Sequence, residues 1–463
     1  MRRLGAIFPV ALGMLASLAL LAQQSQFNGS VPQGTTTREP IALTLRDALD
    51  RGLKTNLGLL VSDSVSEVAR GQRLQTLSAL LPDINGHISQ TEEQSSLKTI
   101  GLNFKFPIPG FSIPTIIGPF HYTDVRASAN WNVFDYSAIK NHRAAQEAER
   151  AARLSAQDAR DLVVQAVAAI YLQIIADSSR ITAIRSQVET AQVLYDRAKD
   201  QHDAGTSAAI DVLRSQVELK QQQERLIAQQ NQFAKDKLVL GRLIGLPNGQ
   251  DFNLAEDVPF SPLTSPTQDQ ALKDAMDQRT DYQSYKARVR AAEETVNAAR
   301  AQRYPVGTIT ADYGDVGQSL AASHGTFSFV AAARFNIFDS GRISSEVVQA
   351  KAELKQRQDE LADLGGQIDE QVRAAFLDIR TAADQVEVSR SNLDLANQTL
   401  TQARDRFSAG VTDNIEVVQA QESVASANDT LIAALYSHNL AKVELARAIG
   451  GADQGLQRLM EVK

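Results

Sequence analysis

Few side chains in this sequence have both the type and the spacing that chemistry requires. The six histidines are nowhere three or four residues apart, the spacing that would place two imidazoles on one helix face to bind a metal ion. The sequence contains neither a Gly-x-x-x-x-Gly-Lys loop, which cradles phosphates, nor a Gly-x-Ser-x-Gly turn, which presents a nucleophilic serine. We therefore expect solvated imidazoles without a metal ion at the six positions, which are His87, His121, His142, His202, His324 and His438.

The acidic and sulfur-containing residues also lack a reactive arrangement. The paired carboxylates Glu92-Glu93 and Glu293-Glu294 are most simply solvated charges, so we assign them no acid–base role. The absence of cysteine excludes disulfides, thiolate metal sites and a cysteine nucleophile, and the four methionines form no copper-binding cluster. A net charge of -7 argues against nucleic-acid binding, because neutralising phosphates requires a basic surface. We expect no enzymatic reaction and no cofactor.

The N-terminus has the pattern of a secretory signal peptide. Arg2 and Arg3 precede an apolar run that ends at Ala22, and polar residues follow. A retained membrane anchor is the alternative, because about 19 apolar residues can just span a bilayer, but Pro9 and Gly13 weaken such a helix. We expect cleavage near Ala22. No later stretch is apolar for about 18 uninterrupted residues, so any other membrane crossing would have to be made by strands.

An internal duplication organises the rest of the chain. Residues 194–245 align without a gap with residues 399–450, and 15 of the 52 positions are identical. Upstream, Asn132-Val133-Phe134-Asp135 corresponds to Asn336-Ile337-Phe338-Asp339. The predicted organisation is a signal peptide (1–22), an N-terminal extension (23–42), a first repeat (43–250), a linker (251–265), a second repeat (266–451) and a C-terminal tail (452–463).

Each repeat is predicted to contain a helix, a pair of strands and a long helical hairpin. Apolar residues recur every three or four positions in both long segments, as they do from Val163 to Ile174. Turns at Gly205-Thr206 and at Gly410-Val411-Thr412 would reverse the chain, because glycine favours the backbone conformation that ends a helix. The predicted hairpins cover residues 135–245 and 339–450.

Four segments alternate between apolar and polar residues, which is typical of β-strands. They lie near 83–93, 121–134, 306–316 and 325–338, and form the predicted strand pairs 83–134 and 306–338. A soluble sheet with one wet face gives the same alternation, but segments of roughly ten residues in an exported protein suit a transmembrane barrel. Four strands cannot close a barrel, for which about eight are needed, so other copies must supply the rest. Two chains would give about eight strands and three would give about 12.

The order of these motifs resembles that of the outer-membrane efflux proteins typified by TolC. The resemblance rests on the strand-to-helix junctions Phe134-Asp135 and Phe338-Asp339, the turns at Gly205 and Gly410, and the opening segment from Leu43 onward. It implies an α+β membrane protein: a homotrimer whose 12-stranded β-barrel in outer-membrane lipid takes four strands from each chain and continues as a tunnel of 12 periplasmic helices. It also implies a periplasmic adaptor protein and an inner-membrane transporter of RND or ABC type as partners, in drug efflux or type I secretion.

The resemblance further implies a gate near the second hairpin turn. In the family two acidic residues one helical turn apart narrow the tunnel entrance; here the first position is Glu416 and the second is Gln419. Three Glu416 carboxylates around a threefold axis would attract cations, with Asp413 as a further candidate, whereas the alternative for both is an ordinary solvated carboxylate. Asp211, the repeat counterpart of Glu416, is expected further from the axis. The expected turn and adaptor-contact residues are Gly205, Thr206, Asp211, Gly410, Val411 and Thr412.

The segment Ser95–Phe120 has only a short counterpart in the second repeat. It contains Pro107, Pro109, Pro114 and Pro119, and proline cannot donate to a central strand ladder. We expect a long extracellular loop or partial hairpin, either inert or folding over the pore mouth.

Two other functions remain open on the residues alone. A periplasmic coiled-coil adaptor would account for the helical hairpins but not for the strand pairs or the duplication. An enzyme would require a catalytic constellation that the sequence does not contain.

Overall fold

The computed structural model describes most of the chain after its N-terminus. The predicted signal peptide (1–22), Gly410 and Asp413 lie outside the described residues, as do residues 100 and 102–113 of the predicted long loop. The described residues are 27, 29–99, 101, 114–255, 260–263, 265–409, 411–412, 414–453 and 455–456, apart from the side chain of Asn414.

The chain divides into two compact units, and each takes segments from both repeats. The helical unit comprises Met1–Ser66, Ala151–Lys286 and Glu360–Lys463, and the sheet unit comprises Glu67–Arg150 and Ala287–Asp359.

In chain order the elements are β1 (Ile41–Leu43), α1 (Leu45–Thr55), α2 (Leu57–Ser78), β2 (Asp83–Ser96), β3 (Ile116–Phe134), α3 (Tyr136–Asp203), α4 (Ala209–Leu243), β4 (Phe252–Leu254), α5 (Gln268–Gln278), α6 (Thr280–Ala301), β5 (Val306–Gly317), β6 (Ser323–Arg334), α7 (Arg342–Ser408) and α8 (Asn414–Ile449).

The sheet unit is built on four antiparallel strands in the order β2-β3-β5-β6. The two outer pairs are the strand pairs predicted for each repeat. The central pair, β3 with β5, joins one repeat to the other. Within the described residues the outer edges of β2 and β6 have no strand partner.

The two faces of this sheet are continuous across all four strands. One row of paired residues contains Asn85, Ser128, Asp312 and Ser328, all of them polar. The adjacent row is apolar, and it consists of Ile84, Ala129, Ala311 and Phe329. Ile84 and Phe329 are 72% and 65% exposed, so the apolar face is uncovered within the chain. The period of two in the sequence therefore identified both faces.

The strand ends differ from the predicted ones, most clearly in β6. This strand was expected to continue to Phe338 but ends at Arg334, which pairs with Val306, the first residue of β5. Pro305 precedes Val306 and has no N–H to extend the ladder, so the residues after Arg334 lack a strand to pair with. β2 and β3 instead extend further than expected, to Ser96 and from Ile116, and so form the partial hairpin at the base of the predicted loop.

Ion pairs hold the helices of the sheet unit together beside the strands. Arg73 of α2 pairs with Glu149 of α3 at 2.5 Å. Lys140 of α3 pairs with Glu294 of α6 at 2.9 Å. The first contact lies within the first repeat, and the second connects the two repeats, as the central strand pair does.

The main core of the helical unit forms around α3. Val163, Val167 and Tyr171 are fully buried, and the Tyr171 hydroxyl donates a hydrogen bond to the Leu43 carbonyl at 3.1 Å. Among the described helices, α3 alone has an 18-residue stretch apolar enough by length and composition to cross a membrane, and half of that stretch is buried inside the protein. Its apolar periodicity is thus accounted for by core packing.

The linker between the repeats carries a strand that the sequence analysis did not predict. β4 pairs in parallel with β1, which lies in the predicted N-terminal extension and the start of the first repeat. Phe252 of β4 is buried in the main core. The predicted linker 251–265 is therefore ordered structure at its start.

The C-terminal end of α8 is fastened to α3 by buried charges. Arg447 pairs with Asp158 at 2.5 Å, and the Asp161 carboxylate accepts hydrogen bonds from the backbone N–H groups of Gly451 and Ala452. Burial raises the pKa of Asp158 to about 6, although the nearby Arg447 opposes this shift. The carboxylate's charge is thus retained near neutral pH at a cost in desolvation.

The two faces of the sheet are expected to differ in their tolerance of charge. Arginine in place of Ala129 or Phe329 would put a charge on the apolar face and should cost about 2 to 4 kcal/mol near the middle of a membrane. Arginine in place of Ser128 or Ser328 serves as the matched control on the polar face and should be tolerated. Thermal stability of protein inserted in lipid vesicles measures the difference, and equal tolerance on both faces would contradict this assignment.

Candidate functional site

The two strand-to-helix junctions use an aspartate to cap a long helix. The Asp135 carboxylate accepts a hydrogen bond from the backbone N–H of Ala138 at 2.9 Å. Its repeat counterpart Asp339 accepts from the N–H groups of Ile343 and Gly341, at 3.0 and 3.1 Å. These backbone hydrogen bonds lower the pKa of Asp339. Both predicted junction aspartates therefore start helices, which is a structural role.

The phenylalanine at each junction, four residues or fewer from the helix start and directly before the aspartate in the sequence, is exposed. Phe134 ends β3 opposite Gly307 and is 50% exposed, while Phe338 is 87% exposed. Among the described residues neither has the burial of a core side chain, so both are available to surroundings outside the chain.

The two hairpin turns have the same backbone hydrogen bonds. In the first, the N–H of Thr206 donates to the Gln201 carbonyl at 2.8 Å; in the second, the N–H of Val411 donates to the Arg406 carbonyl at 3.0 Å. Gly205 adopts a φ of 71°, the left-handed conformation that ends a helix without a Cβ clash. Val411 is 69% exposed and Thr412 follows it at the tip. Gly205, Thr206, Val411 and Thr412 thus lie between the paired helices, whereas Asp211 lies in the first turn of α4.

Glu416 lies in the first turn of α8, where it pairs with a residue that the sequence analysis missed. The partner is Arg406 of α7, at 3.7 Å, and both side chains are about half exposed. Gln419 is exposed one turn later, while Val417 between them is completely buried in the hairpin core. The predicted gate residues Glu416 and Gln419 are therefore on the surface side of the helix, and Arg406 offsets the charge of Glu416 within one chain.

Asp211 has a different environment from its counterpart Glu416. Its carboxylate pairs with Arg214 of the same helix at 3.5 Å, and its side chain is only 16% exposed. The two repeats have therefore diverged at this position: the first holds the carboxylate against its own helix, and the second pairs it across the hairpin.

On the polar face of the sheet, Arg126 connects three strands. From β3 its guanidinium reaches Asp124 at 3.3 Å on its own strand, forms a short ion pair with Asp312 of β5, and donates to the Thr326 hydroxyl of β6 at 3.4 Å. Gly314 is paired with Arg126, and a Cβ at Gly314 would lie 2.9 Å from the Arg126 Cβ. The missing side chain at Gly314 leaves room for the arginine to cross β5. Arg126 is a polar position of the alternating segment 121–134, so the sequence indicates which face it is on. Its partners depend on the register in which β3 pairs with β5.

One of the six histidines is buried, contrary to the expectation of solvated side chains. His438 of α8 is 0% exposed, and its ring lies 4.7 Å from that of Phe260 in the linker. Burial lowers its pKa, and the charge of the nearby Lys442 lowers it further. A neutral imidazole packs like an apolar side chain, so His438 belongs to the helix packing. Throughout the described residues no three His, Asp or Glu side chains are placed to hold a metal ion.

Comparison with known proteins gives consistent matches over nearly the whole described chain. A family model described as "Outer membrane efflux protein" matches residues 50–246 and 271–451. The toluene efflux pump outer membrane protein TtgF of Pseudomonas putida is 22% identical over 439 residues, covering 89% of this chain and 84% of the relative. The pyoverdine export outer membrane protein OpmQ of Pseudomonas aeruginosa is 25% identical over 332 residues, 68% of each chain. The crystal structure of the Campylobacter jejuni CmeC outer membrane channel has a TM-score of 0.77 at 16% identity, covering 94% of this chain and 95% of that one.

Replacing Arg126 with leucine should destabilise the sheet. The substitution leaves the carboxylates of Asp124 and Asp312 facing each other without a cation, and like charges at short range repel. We expect a lower thermal midpoint for Arg126→Leu, with partial recovery when Asp312→Asn is added, since this removes one unpaired carboxylate. A double-mutant cycle on the purified protein measures the coupling, and additive effects of the two substitutions would contradict the interaction.

Proposed function

The chain belongs to the outer membrane efflux protein family, and from that premise we propose that it forms the exit duct of a tripartite efflux or type I secretion system. It is an outer-membrane transport protein, as its relatives are by name. The observation that best supports the duct is the four-stranded sheet, which has one polar face, one exposed apolar face and, within the described residues, two edges without a strand partner. Such a sheet satisfies its edges in lipid only as part of a closed barrel.

The proposed assembly is a homotrimer. Three chains would supply 12 strands and an open lumen, whereas two would supply about eight, whose interior is filled by side chains. The polar row through Ser128 and Asp312 would face the lumen, and the apolar row through Ala129 and Phe329 would face outer-membrane lipid. The long helices of the three chains would form a periplasmic tunnel of 12 helices.

The proposed partners follow from the lack of an energy source in the chain. The sequence contains no phosphate-binding loop, and the family is one of passive channels, so we propose no catalytic reaction and no cofactor. An inner-membrane transporter of RND or ABC type would drive export, and a periplasmic adaptor protein would connect it to the tips of the hairpins at Thr206 and Val411. Relatives are named for toluene and pyoverdine efflux, and the cargo proposed here is small molecules or polypeptides delivered by the pump.

The alternative of a periplasmic adaptor is not supported. The family match extends through both repeats, and the four-stranded sheet has no place in a coiled-coil adaptor. Membrane fractionation followed by native mass spectrometry and planar-bilayer recording tests the proposal. We expect outer-membrane localisation, a trimer and a stable conductance; a monomer without conductance would overturn it.

Glu416 is proposed to set the cation preference at the tunnel entrance. Replacing it with glutamine should weaken cation selectivity and reduce block by multivalent cations, because three negative charges are removed from the ring. Arg406→Gln should act in the opposite direction, since Arg406 offsets the Glu416 charge at 3.7 Å. Planar-bilayer reversal potentials in a salt gradient measure both effects.

The control for this experiment is the repeat counterpart. Asp211→Asn removes the same charge from the first hairpin, where the carboxylate is held by Arg214, and should leave the reversal potential unchanged. If Glu416→Gln and Asp211→Asn gave the same result, Glu416 would have no special position at the entrance.

The long first hairpin loop is proposed to be extracellular and inert. Ser96 pairs with Ile116 and Gly317 with Ser323, so residues 97–115 are the counterpart of the much shorter link 318–322. Replacing 97–115 by the residues of 318–322 should preserve the trimer and its conductance, because the paired strands on either side remain. Trimer content and single-channel conductance are the measurements; loss of the trimer would show that the loop packs structurally, and altered conductance would indicate a lid.

A further inference from the structure

We propose that residues 260–263 of the linker between the repeats form a strap across the second helical hairpin, and that its Phe260 end detaches when His438 takes up a proton. The strap contacts both helices of this hairpin. The Phe260 ring lies 4.7 Å from the His438 ring of α8, and the guanidinium carbon of Arg390 on α7 lies 5.0 Å from the centre of the Phe260 ring. The strap therefore connects α7 to α8 through one aromatic side chain.

Leu263 makes the second anchor of the strap. It packs against a buried apolar cluster to which both helices contribute, consisting of Ala375, Ile379, Ala441 and Leu445. Apolar burial holds this end at any pH, whereas the Phe260 end depends on the groups beside it. Any response of the strap to protons therefore arises at Phe260.

His438 lies in a place that does not accommodate a charge. It is 0% exposed, and neither ring nitrogen makes a hydrogen bond within the described part of the chain. An imidazolium has two N–H donors and a positive charge, and burying them without partners is costly. Burial is the largest cause that lowers the pKa of His438, and the Asn439 side chain opposes this shift without reversing it. Phe260 is thus seated on a neutral imidazole.

The charges around this contact are positive. Lys442 lies one turn after His438 on α8 and is 1% exposed, and its charge lowers the pKa of His438 further. Arg390 brings a second cation from α7, and the strap residues Phe-Ser-Pro-Leu have no ionisable side chain. Among the described carboxylates none acts on His438. Protonation would therefore add a cation beside existing cations without an anion to offset it.

Acid should weaken the strap. Phe260 is half-buried and Pro262 is exposed, so the strap lies at the surface, and movement of Phe260 would bring water to the His438 ring that it covers. The pKa of His438 is lowered while Phe260 is seated and returns towards its ordinary value once the ring is hydrated, so the detached state binds the proton more tightly. The seated state is therefore favoured above the ordinary histidine pKa of about 6.5, and its advantage is lost as the pH falls below that value.

Release would remove one connection between the two helices that carry Glu416 and Arg406 at their turn. The contacts of the strap lie within one chain, so the device does not depend on the proposed trimer or on the proposed partners.

A fluorophore next to Phe260 tests the strap directly. Because the chain has no cysteine, Ser261→Cys provides a single attachment site for bimane at a half-buried position. A neutral nitroxide serves as quencher, since its approach does not depend on the charge of the protein. In the full-length protein in detergent, we expect the quenching constant to be about twofold or more larger at about pH 5 than at about pH 7.5. Equal quenching at the two pH values would overturn the proposal.

Substitutions identify the group that titrates. His438→Gln and His438→Phe are neutral at both pH values and should lose the difference in quenching; two variants are used because the site is buried, and circular dichroism confirms which of them folds. His202→Gln is the matched control, because it removes an exposed imidazole of the same unit, and it should keep the full response. A response that persists without His438, or disappears without His202, would contradict the assignment.

A further variant leaves the imidazole in place. Lys442→Met removes the neighbouring charge that lowers the pKa of His438, so the midpoint of the quenching change should move to higher pH. An unmoved midpoint would show that the proton is taken up elsewhere.

Discussion

The open edges of the four-stranded sheet are the constraint on which the rest of the structure depends. β2 and β6 present backbone N–H and C=O groups that have no strand partner in the described chain, and each such group left unpaired in lipid costs several kcal/mol. The pairing of β3 with β5 satisfies the inner edges of both repeats. The outer edges are the reason for proposing that further copies of the chain complete the barrel.

The duplication supplies this sheet, and the two repeats then differ in how they hold particular charges. Shared positions are structural: Asp135 and Asp339 cap their helices, and Thr206 and Val411 close their turns with equivalent hydrogen bonds. The repeats differ in the ion pairs that their carboxylates make. Asp211 pairs with an arginine of its own helix, whereas Glu416 pairs with an arginine of the other helix in its hairpin. The two hairpins therefore share a backbone geometry but hold their carboxylates differently.

Local patterns predicted the strands, their two faces, the long helices and the hairpin turns. The features that escaped prediction depend on contacts distant in sequence. β1 and β4 are short strands about 200 residues apart without periodicity, and β6 ends where Pro305 leaves its neighbour strand without a ladder donor. The partners of Arg126 follow from the register between the repeats, and Arg406 meets Glu416 only once the turn between them is formed. His438 is polar by type but buried by position, which composition does not reveal.

Two arginines whose partners could not be predicted from the sequence, Arg126 and Arg406, differ in how firmly they are held. Arg126 makes hydrogen bonds to Asp124, Asp312 and Thr326 on three strands, so its geometry is fixed from several directions at once. Arg406 and Glu416 are half-exposed and 3.7 Å apart, and an exposed pair of this kind contributes little to stability because water and salt screen it. A carboxylate held so weakly can exchange its partner for another charge at small cost. The charges on the sheet are therefore held rigidly by several partners, whereas the Arg406–Glu416 pair can separate when another charge approaches.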